Sequence, residues 1–155
     1  MDDSKSPAPG GPLPPVLLLA AILLMTAFHL LVPGMQLFRA GWRLAGAAPV
    51  AGGLLLNIWA DGLFKRAATS VKPCEPTTTL VLNGPFSFTR NPMYFGMVLV
   101  LVGIVIGLGS ATPWLVVPLF VWRVQERFIV PEERKLEAAF GAQYNEYKAK
   151  TRRWI

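Results

Sequence analysis

The sequence predicts an all-α fold: an integral membrane bundle of about four transmembrane helices, followed by an interfacial helical segment at the C-terminus. Three observations carry this expectation. Hydrophobic residues make up 53% of the 155-residue chain and charged residues 15%, where a soluble domain carries about 25% charged residues. Four apolar runs are separated by Pro, Gly and polar residues. Lys and Arg gather on alternate connections between those runs, as the positive-inside rule requires of spanning helices.

Residues 1–15 are rich in Pro, Gly and Ser and read as a poorly ordered tail, leaving 16–155 as one membrane domain. The first run, Val16–Val32, has 17 residues, close to the ~20 needed to cross hydrocarbon, and Pro33-Gly34 ends it. A cleaved signal peptide is the competing reading. Two aspartates and one lysine in the leading segment, and three further apolar runs, argue against it. The second run, Leu44–Phe64, is weaker, with Gly52-Gly53, Asn57 and Asp61 inside it. The third, Met93–Gly109, is the most apolar, and Ser110-Ala111-Thr112-Pro113 makes a short turn to the fourth, Trp114–Trp122. Runs so close should pair as an antiparallel hairpin. The fourth continues through Arg123 to Val130 as an increasingly polar helix that Pro118 is expected to kink. Pro131 and Glu132-Glu133 suit a helix start, and Gly141 suits a break before a last piece, Gln143–Lys150. Leu136, Phe140, Tyr144 and Tyr147 follow helical spacing and predict an amphipathic segment on the membrane interface.

Lys65, Arg66, Lys72 and Arg90 share one side with the eight basic residues from Arg123 to Arg153, so that side should be cytoplasmic. Arg39 and Arg43 run mildly against this orientation. The net charge of +6 lies beside apolar runs, which points to the lipid bilayer and its anionic headgroups as partner and not to nucleic acid. Cys74 and His29 are the only Cys and His, too few for a structural zinc site, so no metal is expected.

Three clusters carry polar chemistry. The stretch Asn83 to Gly96 sets turn formers, Phe86, Phe88, Tyr94 and Arg90 at the start of the third run. Pro92 can open that helix, whose free N–H groups suit a polar ligand, while the aromatics suit a flat ring or a cation. An aromatic belt with an interfacial arginine fits the same residues. The second cluster, Glu126, Arg127, Glu132, Glu133 and Arg134, reads by itself as a solvated helix start. In the third, Asn57, Asp61 and Lys65 share a helix face, favouring a structural Asp61–Lys65 pair. His29 should be a buried, hydrogen-bonded histidine.

The run Gly84-Pro85-Phe86-Ser87-Phe88-Thr89-Arg90-Asn91-Pro92-Met93-Tyr94-Phe95-Gly96, a helical hairpin, then Glu132-Glu133 and Phe140-Gly141-Ala142-Gln143-Tyr144-Asn145-Glu146-Tyr147 together resemble the isoprenylcysteine carboxyl methyltransferase family and the related phospholipid methyltransferases. The resemblance covers about residues 71–150. It implies a membrane-embedded helical transferase that uses S-adenosyl-L-methionine in a cytoplasm-facing pocket capped by the C-terminal segment, with a lipophilic methyl acceptor. By position in the motifs it assigns cofactor contacts to Thr78, Thr79, Leu80, Val81, Phe86, Asn91, Pro92, Met93, Tyr94 and Glu132, with Glu133 the alternative to Glu132. Arg90 or Arg127 would orient the acceptor. Asn91 stands where the family usually has histidine, and Phe128 where it has a substrate-side arginine. Two other readings compete: a nicotinamide-dependent sterol reductase with a similar hairpin, and a non-catalytic scaffold. The tail from Glu132-Glu133 to Tyr147 favours methyl transfer over the reductase.

Overall fold

The computed structural model describes residues 13–66 and 80–155. Among them the regular elements are helical: α1 (Pro14–Leu31), α2 (Ala40–Arg43), α3 (Ala47–Arg66), α4 (Pro92–Leu108), α5 (Val116–Val124), α6 (Val130–Phe140) and α7 (Ala142–Lys150). Short 3-10 turns at Leu44–Gly46 and Thr112–Leu115 join α2 to α3 and lead into α5. Pro14 and Pro15 already belong to α1, because a proline in the first turn gives up no helical hydrogen bond. The expected tail is therefore two residues too long at its inner edge, and residues 1–12 lie outside the described residues. The helices Pro14–Leu31 and Ala40–Arg66 are long and apolar enough to cross a membrane, and α4 is a shorter apolar helix.

The bundle is built around α4. Its tightest partner is α3, through a stripe of small residues. A Cβ on Gly53 would stand 2.3 Å from the Gly96 carbonyl oxygen, and one on Gly103 would stand 2.4 Å from that of Gly46. Such contacts let two backbones touch, the usual way helices associate where lipid removes the hydrophobic drive between them. On the other side of α4, the side chains of Met25, Leu101, Val105, Val124 and Ile129 are fully enclosed. Leu19, Leu23, Leu55, Ile58, Leu119 and Trp122 face outward and are exposed, an apolar exterior suited to lipid.

The end of the bundle away from the motifs is tied by short polar contacts. His29 Nδ1 lies 2.8 Å from the hydroxyl of buried Ser110, so the histidine is half-buried and hydrogen-bonded as expected. Arg43 donates to Gln36 at 2.9 Å, and the Leu37 amide donates to the Gly109 carbonyl at 2.8 Å. Gly109 ends α4 in the left-handed region at φ 78°. On α3, Asp61 and Lys65 form the expected pair at 2.5 Å.

Two expectations change. Pro118 is the third residue of α5, within the first turn, where a missing N–H leaves no α-helical bond unmade, so the cause expected for a kink is removed. The irregularity lies at Gln125–Ile129, which form a π turn leading without a break into α6. Pro131 explains it: proline cannot donate to the carbonyl four residues back, and its ring crowds that carbonyl, so a wider turn relieves the clash. Secondly, the apolar side of α7 turns inward: Tyr144 and Tyr147 are buried against the protein.

The α3–α4 contact yields a stability test. Gly53→Ala and Gly103→Ala should each lower stability by about 1–3 kcal/mol, since the added methyl forces two backbones apart. Gly52→Ala and Gly62→Ala, which meet nothing within 4 Å, should raise it by up to about 1 kcal/mol through helix propensity. Thermal unfolding in detergent separates the two pairs, and equal effects in all four would contradict the packing.

Candidate functional site

The candidate site is built at the opening of α4. Gly84, at φ 62°, turns the chain beneath α3, where a Cβ would sit 2.9 Å from Leu63 Cδ1. The following 3-10 turn, Gly84–Ser87, buries Phe86 edge-on against Phe64 of α3, with ring centroids 5.1 Å apart. Tyr147 of α7 donates to the Phe86 carbonyl at 2.6 Å, locking the loop beneath the last helix. Phe88 points the other way and is 70% exposed. Pro92 is the first residue of α4, as its sequence position predicts.

One turn into α4, Tyr94 meets α6. Its hydroxyl donates to Glu132 Oε1 at 3.1 Å, and its ring stacks on Phe128 at 6.2 Å. Burial pushes the Glu132 carboxyl up to about 7, against the lowering exerted by the Tyr94 hydrogen bond and by Lys135. Glu133, one residue on, meets two arginines. Its Oε1 lies 3.1 Å from Arg90 Nη2 and accepts from Arg153 Nε at 3.0 Å, while Oε2 accepts from Arg153 Nη2 at 2.7 Å. The two acids therefore do different work. Glu132 is the one beside Tyr94, and Glu133 is a buried ion-pair hub, not part of a solvated helix start.

The C-terminal segment, which the family resemblance expects as a cap, packs across this layer. The Arg90 amide donates to the Arg152 carbonyl at 2.9 Å. Thr89 Oγ1 and Asn91 Nδ2 both donate to the Arg153 carbonyl, at 3.1 and 3.0 Å. Trp154 Nε1 donates to Gln125 at 3.1 Å, and its ring packs on the core that holds Tyr94 and Phe128. The resemblance expects a cap here, but no residue of it points to these particular partners.

Structure thus brings Arg90, Asn91, Pro92, Tyr94, Glu132 and Glu133 into one polar layer. Leu80 and Val81 are half-buried in the strand of chain leading to it, and Met93 is half-buried beside it. Thr78 and Thr79 lie outside the described residues. Arg90 is engaged by Glu133 and its side chain is only 9% exposed, yet its Nε and Nη1 are buried without partners. Arg127 is half-buried, and its Nε also lacks a partner. A half-buried acid beside a tyrosine and a guanidinium with spare donors have the chemistry to hold a zwitterionic group.

The contrast between the two glutamates is testable. Below pH 4.5 Glu132 is neutral in folded and unfolded chains alike, and stability is unaffected. As pH rises to about 7 the unfolded chain ionises freely while the fold resists, so stability falls across that window. Glu132→Gln should flatten this slope and raise Tm above pH 7 by about 2–4 °C. Glu133→Gln should instead cost about 3 kcal/mol at neutral pH, because Arg90 is left buried without its ion-pair partner. Thermal melts of both variants in detergent from pH 4 to 8 check the opposite signs.

The sequence pattern of the phospholipid methyltransferases matches residues 42–143. An uncharacterised protein of Haemophilus influenzae is 38% identical over 63 residues, which is 41% of this chain and 100% of that protein. No solved structure matches. The matched span holds the α3–α4 packing, the loop before α4, and the Tyr94–Glu132 pair. With apolar helices suited to a bilayer, this is a membrane methyltransferase architecture, and the chain belongs to the phospholipid methyltransferase family.

Proposed function

We propose that the chain is a multi-pass membrane methyltransferase that uses S-adenosyl-L-methionine to methylate a lipophilic acceptor, either a membrane lipid or an isoprenylcysteine-like group. The Tyr94–Glu132 hydrogen bond on the Phe128 ring, beside the spare donors of Arg90, is the observation that supports it most. In this reading α1, α3, α4 and α5 each cross the bilayer. The loop before α4, α6 and α7 share the basic, cytoplasmic side, so cofactor arrives from water and acceptor from lipid.

Bound S-adenosyl-L-methionine supplies an electrophilic methyl on a sulfonium. The protein supplies position and dryness. Glu132 receives the cationic amino group, which favours its ionised form and offsets the burial that pushes it up. Arg90 turns Nε and Nη1 toward the carboxylate while Glu133 holds its Nη2 in place. Tyr94 and Phe128 give an apolar wall, and the C-terminal segment excludes water. Arg127, with a free Nε, orients the acceptor. His29 stands at the opposite end of the bundle beside Ser110 and takes no part. An acceptor already anionic, a carboxylate or thiolate, needs no base. An amine acceptor needs a base, and Glu132 is already occupied by the amino group, so this reading favours a carboxylate or thiolate acceptor.

Titration calorimetry of S-adenosyl-L-methionine into the detergent-purified chain tests the assignment. Glu132→Gln and Tyr94→Phe should weaken binding about tenfold or more, the size of a lost hydrogen bond to a charged group. Phe88→Ala, at an exposed position, should leave it unchanged. Unaltered affinity in both site variants overturns the reading. Incubation of labelled cofactor with membrane lipid extract, and analysis of the labelled product, then identifies the acceptor.

A further inference from the structure

Outside the methyl-transfer layer, α1 and α5 part to leave a lateral groove of about 140 Å³. Leu17, Ala20 and Leu24 line it from α1, and Leu119 and Phe120 from α5. The hollow has a local cause: Ala20 and Ala21 are the small residues of that stretch of α1, so the helix surface is low where Phe120 faces it. Its walls are apolar and it opens sideways, toward the face that exposes Leu19 and Leu23.

One charge breaks the apolar lining. Arg123 closes the groove at the end of α5 nearest the basic layer, is exposed, and has no ion-pair partner among the described residues. Exposed Glu126 follows three residues later and forms no ion pair among the described residues. An open apolar groove lined at one end by an exposed arginine has the chemistry to take one amphiphile: an acyl chain with a phosphate at its head.

We infer that this groove is a binding site for an anionic glycerophospholipid of the bilayer, with one acyl chain between α1 and α5 and the phosphate on Arg123. It is separate from the cofactor layer and does not rest on the methyl-transfer reading. Helix α1 precedes residues 42–143, the span matched to the family, so half of the groove comes from a helix outside the shared pattern. The lipid fills space that two helices of unequal side chains leave open, and it ties α1 to the rest of the bundle.

Native mass spectrometry of the delipidated full chain, titrated with dioleoyl phosphatidylglycerol or dioleoyl phosphatidylcholine, tests this. One phosphatidylglycerol should bind with preference over phosphatidylcholine. Arg123→Gln should weaken it about fivefold, the size of one basic residue's attraction for an anionic lipid. Ala20→Trp, which fills the groove, should abolish the tightly held lipid. Retention of phosphatidylglycerol in Ala20→Trp at the wild-type level would place the lipid elsewhere. Equal affinity for the two lipids, unchanged in Arg123→Gln, would remove the anchor and with it the proposal. Arg123 is exposed, so its variant decides the matter even where the tryptophan variant fails to fold.

Discussion

Three stretches far apart in sequence converge on the Glu133 carboxylate. It accepts two hydrogen bonds from Arg153 and pairs with Arg90, and it is itself buried. Two guanidiniums on one acid leave a surplus of positive charge, so the acid is what permits either arginine to be there. Arg90 fixes the loop that opens α4, and Arg153 fixes the chain terminus across that loop. Tyr94 stands one turn into α4, and its position follows from that anchoring. The hub works together with the Thr89, Asn91 and Trp154 hydrogen bonds to hold the loop, α6 and the C-terminal segment in register.

The π turn decides which glutamate becomes the hub. In an α-helix each four-residue step drifts by about 40° around the axis. Phe120, Val124, Phe128 and Glu132 form such a series, and over three steps the drift would carry Glu132 well off the core-facing stripe. The Val130 amide bonds instead to the Gln125 carbonyl, five residues back. That wider turn under-rotates and cancels part of the drift, keeping Phe128 and Glu132 both against Tyr94. Glu133 is then turned toward Arg90. Pro131 thereby sets the chemistry of its two neighbours by removing one backbone donor.

This explains what sequence could and could not reveal. The apolar runs at 16–32, 44–64 and 93–109 mark α1, α3 and α4 to within a few residues, because hydropathy and Pro/Gly punctuation are local signals. The proximity of Tyr94 and Glu132 was legible only through the family resemblance, since 38 residues separate them. The choice between Glu132 and Glu133 was not legible: it depends on helical phase, and the π turn alters that phase. The C-terminal contacts were hidden for another reason. Thr89 and Asn91 reach a backbone carbonyl of Arg153, and a carbonyl carries no residue identity for a sequence to display.

The asparagine in the family's histidine position gains a meaning from the same contacts. Asn91 is buried, and its Nδ2 donates to the Arg153 carbonyl alongside Thr89 Oγ1. A neutral imidazole offers one N–H donor as well, so asparagine keeps the donor and gives up the titration. A protonated imidazole in this place would add a third positive charge beside Arg90 and Arg153, which one carboxylate already balances incompletely. Asparagine avoids that cost while still holding the terminus across the loop. The position then serves geometry in this chain, while Glu132, in the same polar layer, is the acid that burial has moved up, to about 7.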